Sequence, residues 1–85
     1  DINPIAKVHV LGIPKSQCVD FSDFISKNTP TMIFEFFNKI NLVVEKLGIA
    51  KDGYKVISNS GINGGQEVPH FHIHILGGQK VNLSI

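Results

Sequence analysis

Apolar and polar positions change their period several times along this chain, and each change marks an element. From Pro30 to Leu47, apolar residues recur at three- and four-residue steps: Ile33, Phe36, Phe37, Ile40, Val43, Val44 and Leu47. That is the period of one face of a helix. Thr29 stands ready to cap it, with Pro30 at the first helical position, where a missing N–H costs nothing. Gly48 can end it in the left-handed conformation. So broad an apolar stripe reads as core packing, and a sheet is what it would cover. Lys7 to Ile13 reads as a short strand closed by Pro14. Asp20-Phe21-Ser22-Asp23 resembles a capping box, with an acidic residue three positions after the first, and predicts a short helix. Lys51-Asp52-Gly53 is a turn, and Tyr54 to Ser58 a second strand. Ser60 to Pro69 is a loop containing Gly61, Gly64 and Gly65, and His70 to Leu76 is a third strand stopped by Gly77-Gly78. The last two strands, joined by a loop, are expected to be antiparallel. The class predicted is α+β, an antiparallel sheet with the long helix packed on one face.

Composition narrows the picture. Eighty-five residues suit one domain, spanning 1–85, and 42% hydrophobic with 18% charged residues is a globular balance. The formal net charge is +1 with no run of like charges, which speaks against a nucleic-acid-binding surface or an acidic tail. The lone cysteine, Cys18, cannot form an internal disulfide; it reads as a small buried apolar residue in a protein of the reducing cytoplasm. No apolar run approaches the ~20 residues that span a bilayer, so no membrane partner is expected. The opening Asp1-Ile2-Asn3-Pro4 lacks Met and the features of a signal peptide, and suggests a truncated chain.

The candidate chemistry lies in His70-Phe71-His72-Ile73-His74. On a strand, alternate side chains share a face. The three histidines would then face solvent or ligand, and Phe71, Ile73 and Ile75 would face the helix. Imidazole suits proton transfer near neutral pH and can attack phosphorus. The fourth histidine, His9, lies in the first strand; were that strand beside the third, all four imidazoles could join in one network. The loop before the histidines adds glycines whose N–H groups can approach an anion, with Asn59 and Gln66 as side-chain donors. It is not a P-loop, because no Gly-Lys-Ser/Thr follows. Three histidines on one face also suit a metal-binding module, which spacing alone leaves open. A solvated polar strand face would suit one lone histidine, but three alternating over an apolar reverse face speak against it.

These residues match a pattern. His70-Phe71-His72-Ile73-His74-Ile75-Leu76 resembles the signature of the histidine triad (HIT) family. Gly64-Gly65-Gln66-Glu67-Val68-Pro69 and Gly77-Gly78 resemble its nucleoside phosphoramidase branch. Asn59-Ser60-Gly61 is similar to an Asn-x-Gly segment of that branch. Val8-His9-Val10-Leu11-Gly12-Ile13-Pro14-Lys15 resembles its central strand, and Asp1-Ile2-Asn3-Pro4 the Asp-Ile-x-Pro before it.

The resemblance implies a nucleotide hydrolase acting at the α-phosphorus of purine nucleoside phosphoramidates or related AMP or GMP conjugates. His72 would be the nucleophile and form a covalent nucleotidyl intermediate. His74 would contact phosphate oxygens, with His70 and His9 behind the nucleophile. Asn59 would help position the histidine and phosphate, while Gly65, Gln66 and Glu67 would line the phosphate and leaving-group side. Asp1 would bind ribose hydroxyls and Ile2 would flank the base. No metal or other cofactor is implied, and a homodimer is. Glu67 departs from the Ser or Thr of many relatives, which bears on the leaving group. The resemblance further implies that an N-terminal helix and two strands precede the part present here. A non-catalytic nucleotide-binding protein is the alternative that these departures favour.

Overall fold

The computed structural model describes residues 6–81. Five elements follow in order: β1 (Val8–Gly12), α1 (Phe21–Lys27), α2 (Pro30–Lys46), β2 (Lys55–Ile57) and β3 (Ile73–Gly77). The caps act as their residue types dictate. Asp20 accepts from the Asp23 N–H at 2.9 Å, and Thr29 from the Met32 N–H at 3.2 Å, with Pro30 in the first turn. The α1 capping box is not reciprocal, because the Asp23 carboxylate turns to the Val19 N–H at 2.8 Å. Gly48, at φ +74°, follows α2 in a conformation that side chains with a Cβ resist.

The strands form one antiparallel sheet in the order β1-β3-β2. Among the described residues β3 is thus the strand flanked on both sides, and β1 lies at an edge. The register pairs Val10 with Ile75 and Leu11 with His74 across β1 and β3, and Val56 with Ile75 across β2 and β3. One face of the sheet carries Ile73 and Ile75, which pack with Val8 and Val10 against Ile40 and Val44 of α2. Gly12 sits beneath the helix, where a Cβ would press on the Ile40 side chain at 2.5 Å.

The core divides into two adjoining parts. Val44, Ile49 and Ile75 form one. The other is aromatic: Phe71 stacks on Phe24 at 4.7 Å between ring centroids, and Phe36 and Phe37 close around Phe24 from α2. Cys18 is buried in this second part, as a small apolar residue would be. The helix stripe is narrower than its sequence suggests: Val43 and Leu47 remain 37% and 41% exposed, because the three-stranded sheet does not extend under them. A groove of about 410 Å³ runs between β1 and α2, lined by Val10, Gly12, Phe36, Lys39 and Ile40.

Strand boundaries differ most at the histidines. The ladder of β3 begins at Ile73, not His70. Pro69 has no N–H to offer a ladder. The His70 N–H instead folds back on the Val68 carbonyl at 2.7 Å, closing a three-residue turn centred on Pro69.

Candidate active site

Antiparallel pairing of β1 with β3 sets His9 opposite Leu76 and His74 opposite Leu11. His9 and His74 are therefore diagonal neighbours on the sheet face away from α2, within reach of long side chains. Their rings meet, His9 Nε2 lying 3.0 Å from His74 Nδ1. The His72 ring stands edge-on to His74, with centroids 5.0 Å apart. Three imidazoles thus form a chain: His9, His74, His72.

The expected four-ring network is not formed. The His70 imidazole has no ring contact or side-chain hydrogen bond among the described residues. His70 contributes its backbone instead: its carbonyl oxygen lies 2.9 Å from His72 Nδ1. A carbonyl only accepts, so His72 Nδ1 must carry the proton in this contact. The neutral ring then has its lone pair on Nε2, the nitrogen left to act as a base or nucleophile. The backbone beneath is pinned from two sides. The Ser58 hydroxyl donates to the His72 carbonyl at 3.2 Å, and the Phe71 N–H donates to the Cys18 carbonyl at 2.7 Å.

Burial holds the His74 pKa below the usual histidine value; the neighbouring His72 and His9 charges lower it further. A neutral His74 can hydrogen-bond without adding charge. The folded protein then binds its proton less readily than the unfolded chain does. Between the lowered value and about 6.5, the unfolded chain holds more protons, so stability rises with pH across that window. Thermal melts are expected to show Tm falling as pH drops below about 6.5, and His74→Gln, which cannot titrate, should flatten that slope.

The loop upstream is tied to itself. Gly61 and Gly65 take positive φ values of 68° and 74°. The Gly65 N–H bonds to the Ile62 carbonyl at 3.2 Å and the Gln66 N–H to the Gly61 carbonyl at 3.0 Å. These two donors are used inside the loop, so the expected open nest of N–H groups does not include them. Asn59 spans the loop base, donating from its amide to the Gly64 carbonyl at 2.7 Å. The Gln66 side chain bonds to Gly61, Val19 and Val68. Glu67 is exposed. Asp1 and Ile2 lie outside the described residues. A Cβ at Gly64 would overlap the Ser60 carbonyl oxygen. Gly64→Ala should therefore displace the loop from its Asn59 tie while the distant core stays packed. The expected result is faster amide hydrogen exchange across residues 60–66, with Tm lowered by only a few degrees.

Sequence reading did not single out Ser58, Val19 or Phe21. Ser58 closes on His72, while Val19 and Phe21, through the Phe21 N–H to Ser60 Oγ at 3.3 Å, tie α1 to the loop. Only the pairing of distant segments gives them these partners. Among the described residues, no three His, Cys, Asp or Glu side chains converge on a point where a metal ion could be held. The imidazole nitrogens are aimed at one another and at a carbonyl, which accounts for that. No helix among the described residues is long and apolar enough to cross a membrane.

Comparison with known proteins finds relatives along nearly the whole chain. An uncharacterized HIT-like protein of Rickettsia prowazekii is 47% identical over 81 residues, covering 95% of this chain and 68% of the relative. The purine nucleoside phosphoramidase of Escherichia coli is 38% identical over 81 residues, covering 95% of this chain and 67% of that protein. The solved structure of a histidine triad protein from Clostridium difficile superposes with a TM-score of 0.85 at 35% identity, covering 100% of this chain and 73% of that one. The HIT domain model matches residues 1–81. With the histidine sheet, the loop before it and these relatives in agreement, the chain belongs to the HIT domain family.

Proposed function

We propose that this chain hydrolyses purine nucleoside phosphoramidates, or related nucleotide conjugates, at the α-phosphorus through a nucleotidyl-His72 intermediate. The observation that carries this reading is the 2.9 Å contact of His72 Nδ1 with the His70 carbonyl. It places the lone pair on Nε2 before any substrate arrives. His72 Nε2 attacks the α-phosphorus, and the bond from phosphorus to the leaving nitrogen breaks, the amine leaving with a proton from solvent. The ring now carries phosphorus on Nε2 and a proton on Nδ1, and is positive. The His70 carbonyl, already bonded to that proton, stabilises this charge. Water then attacks phosphorus, the P–Nε2 bond breaks, and His72 is regenerated. The sum is phosphoramidate plus water giving nucleoside monophosphate plus amine.

His74, whose charged form burial disfavours, is suited to donate a hydrogen bond to a phosphate oxygen. In this reading Asn59, Gly65 and Glu67 border the phosphate and leaving group, and His9 holds His74. The phosphoramidase activity named for the Escherichia coli relative supports the choice of substrate. The same reading takes the chain as a homodimer, because Phe34 and Leu42 on α2 are 66% and 55% exposed and a second copy would cover them. A cytoplasmic setting fits the lone thiol of Cys18.

The deciding experiment is incubation with adenosine 5′-phosphoramidate, with chelator present, followed by rapid quench and intact mass measurement. Release of AMP and an adenylyl adduct on the protein are expected. AMP binding without product would support a nucleotide-binding protein instead.

A further inference from the structure

The Gln66 side chain has one acceptor oxygen and two amide donors, and all three functions are engaged. Its Oε1 accepts from the Gly61 N–H at 2.9 Å. Its Nε2 donates to the Val19 carbonyl at 2.6 Å and to the Val68 carbonyl at 3.0 Å. Each of these partners leads further. The Val19 peptide is anchored on its other side, its N–H donating to the Asp23 carboxylate at 2.8 Å; Asp23 in turn pairs with Lys27 at 3.1 Å. The Val68 carbonyl also accepts the His70 N–H at 2.7 Å. Two residues on, across Pro69, the His70 carbonyl is the one that receives His72 Nδ1.

We propose that Gln66 is a positioning residue for His72. By clamping the Val68 peptide to the anchored Val19 peptide, it fixes the turn at Pro69 and so aims the His70 carbonyl at His72 Nδ1. The route runs from Gln66 Nε2 to the Val68 carbonyl, through the His70 peptide, to the imidazole. Gln66 thereby selects the tautomer that exposes Nε2, at a distance of several bonds from the ring. Direct phosphate contact is the competing role, and it would require amide donors that are already committed to two carbonyls. Gln66 sets the tautomer whether or not substrate is present; only the kinetic consequence rests on the hydrolase reading above.

Two variants separate the possibilities. Gln66→Glu keeps the shape and the acceptor for Gly61 but sets a carboxylate against the Val19 and Val68 carbonyls. Gln66→Met keeps the length without charge or donors. Long-range proton–nitrogen correlation NMR on ¹⁵N-histidine-labelled protein at alkaline pH, where imidazoles are neutral, reads the tautomer directly. The wild-type His72 ring is expected in the Nδ1–H form, and both variants in a mixture of the two tautomers. With adenosine 5′-phosphoramidate, kcat should fall about tenfold with KM little changed, as for a misaimed nucleophile. A His72 ring that stays in the Nδ1–H form in both variants overturns the proposal. A raised KM with tautomer and kcat intact overturns it in favour of phosphate contact. Unfolding of both variants overturns it in favour of a purely structural brace. If wild type shows no hydrolysis, the tautomer measurement alone decides the positioning role, and the failure belongs to the hydrolase reading.

Discussion

His72→Ala is expected to slow hydrolysis of adenosine 5′-phosphoramidate by about 10⁴-fold or more, and to abolish the adenylyl adduct. Under the proposed mechanism His72 forms the covalent intermediate, and a nucleophile has no substitute when its ring is removed. The fold should survive, because the bonds that order this stretch use the backbone. Ser58 holds the His72 carbonyl, Cys18 holds the Phe71 N–H, and Val68 holds the His70 N–H. The ring itself supplies one hydrogen bond to the His70 carbonyl, worth on the order of 1 kcal/mol net. Tm should therefore move by a few degrees, and AMP should still bind. Wild-type turnover in this variant would remove His72 from the chemistry.

Phe71→Ala, one residue away, should have the opposite profile and unfold much of the chain's stability margin. Its ring is 1% exposed and lies in the part of the core shared by Cys18, Phe24 and Ile73. It stacks on Phe24 at 4.7 Å and meets Phe21 and Phe36 at 5.9 and 6.0 Å. Deleting a buried aromatic ring costs about 3–5 kcal/mol through lost burial and the cavity left behind. Native domains hold only about 5–15 kcal/mol in all. A Tm loss on the order of 20 °C is expected for a domain of this size, read by circular dichroism. Activity would fall with the folded fraction, and lowering the temperature should restore part of it, which it cannot do for His72→Ala. A melt within a few degrees of wild type would mean that the cluster around Phe24 closes over the vacancy.

The two variants divide the segment as its alternation does. Phe71, Ile73 and Ile75 are all buried, and His72 and His74 are on the other side. This division was legible in the sequence, because apolar residues at every second position declare a covered face. The same alternation placed His70 with the other two histidines, but its ring makes no contact with theirs. Period describes side chains within a ladder, and it does not report where the ladder starts. Pro69 and the turn it centres delay β3 to Ile73, and His70 meets the cluster through its carbonyl, which receives His72 Nδ1.

Gln66 shows a different limit. Beside glycines and histidines, an amide reads as a ligand for phosphate. Its actual partners include Val19, forty-seven positions away in the chain. No local pattern announces such a contact, since main-chain carbonyls are the same at every residue. His9 lay between these cases. Its presence in a strand was readable, but its 3.0 Å approach to His74 depended on the register of β1 against β3.

By itself, then, the sequence determined the local chemistry: the caps at Asp20 and Thr29, the end of α2 at Gly48, the core-facing residues, and the presence of imidazoles before a glycine loop. These depend on a residue and its neighbours within one or two turns. Tertiary structure alone decided the antiparallel order β1-β3-β2, the exposure of Val43 and Leu47, the ring chain His9–His74–His72, and the tautomer that His72 presents. The strand order, the exposures and the ring chain depend on which distant segments meet, and the tautomer on how the chain turns at Pro69, and these are settled only when the whole chain packs.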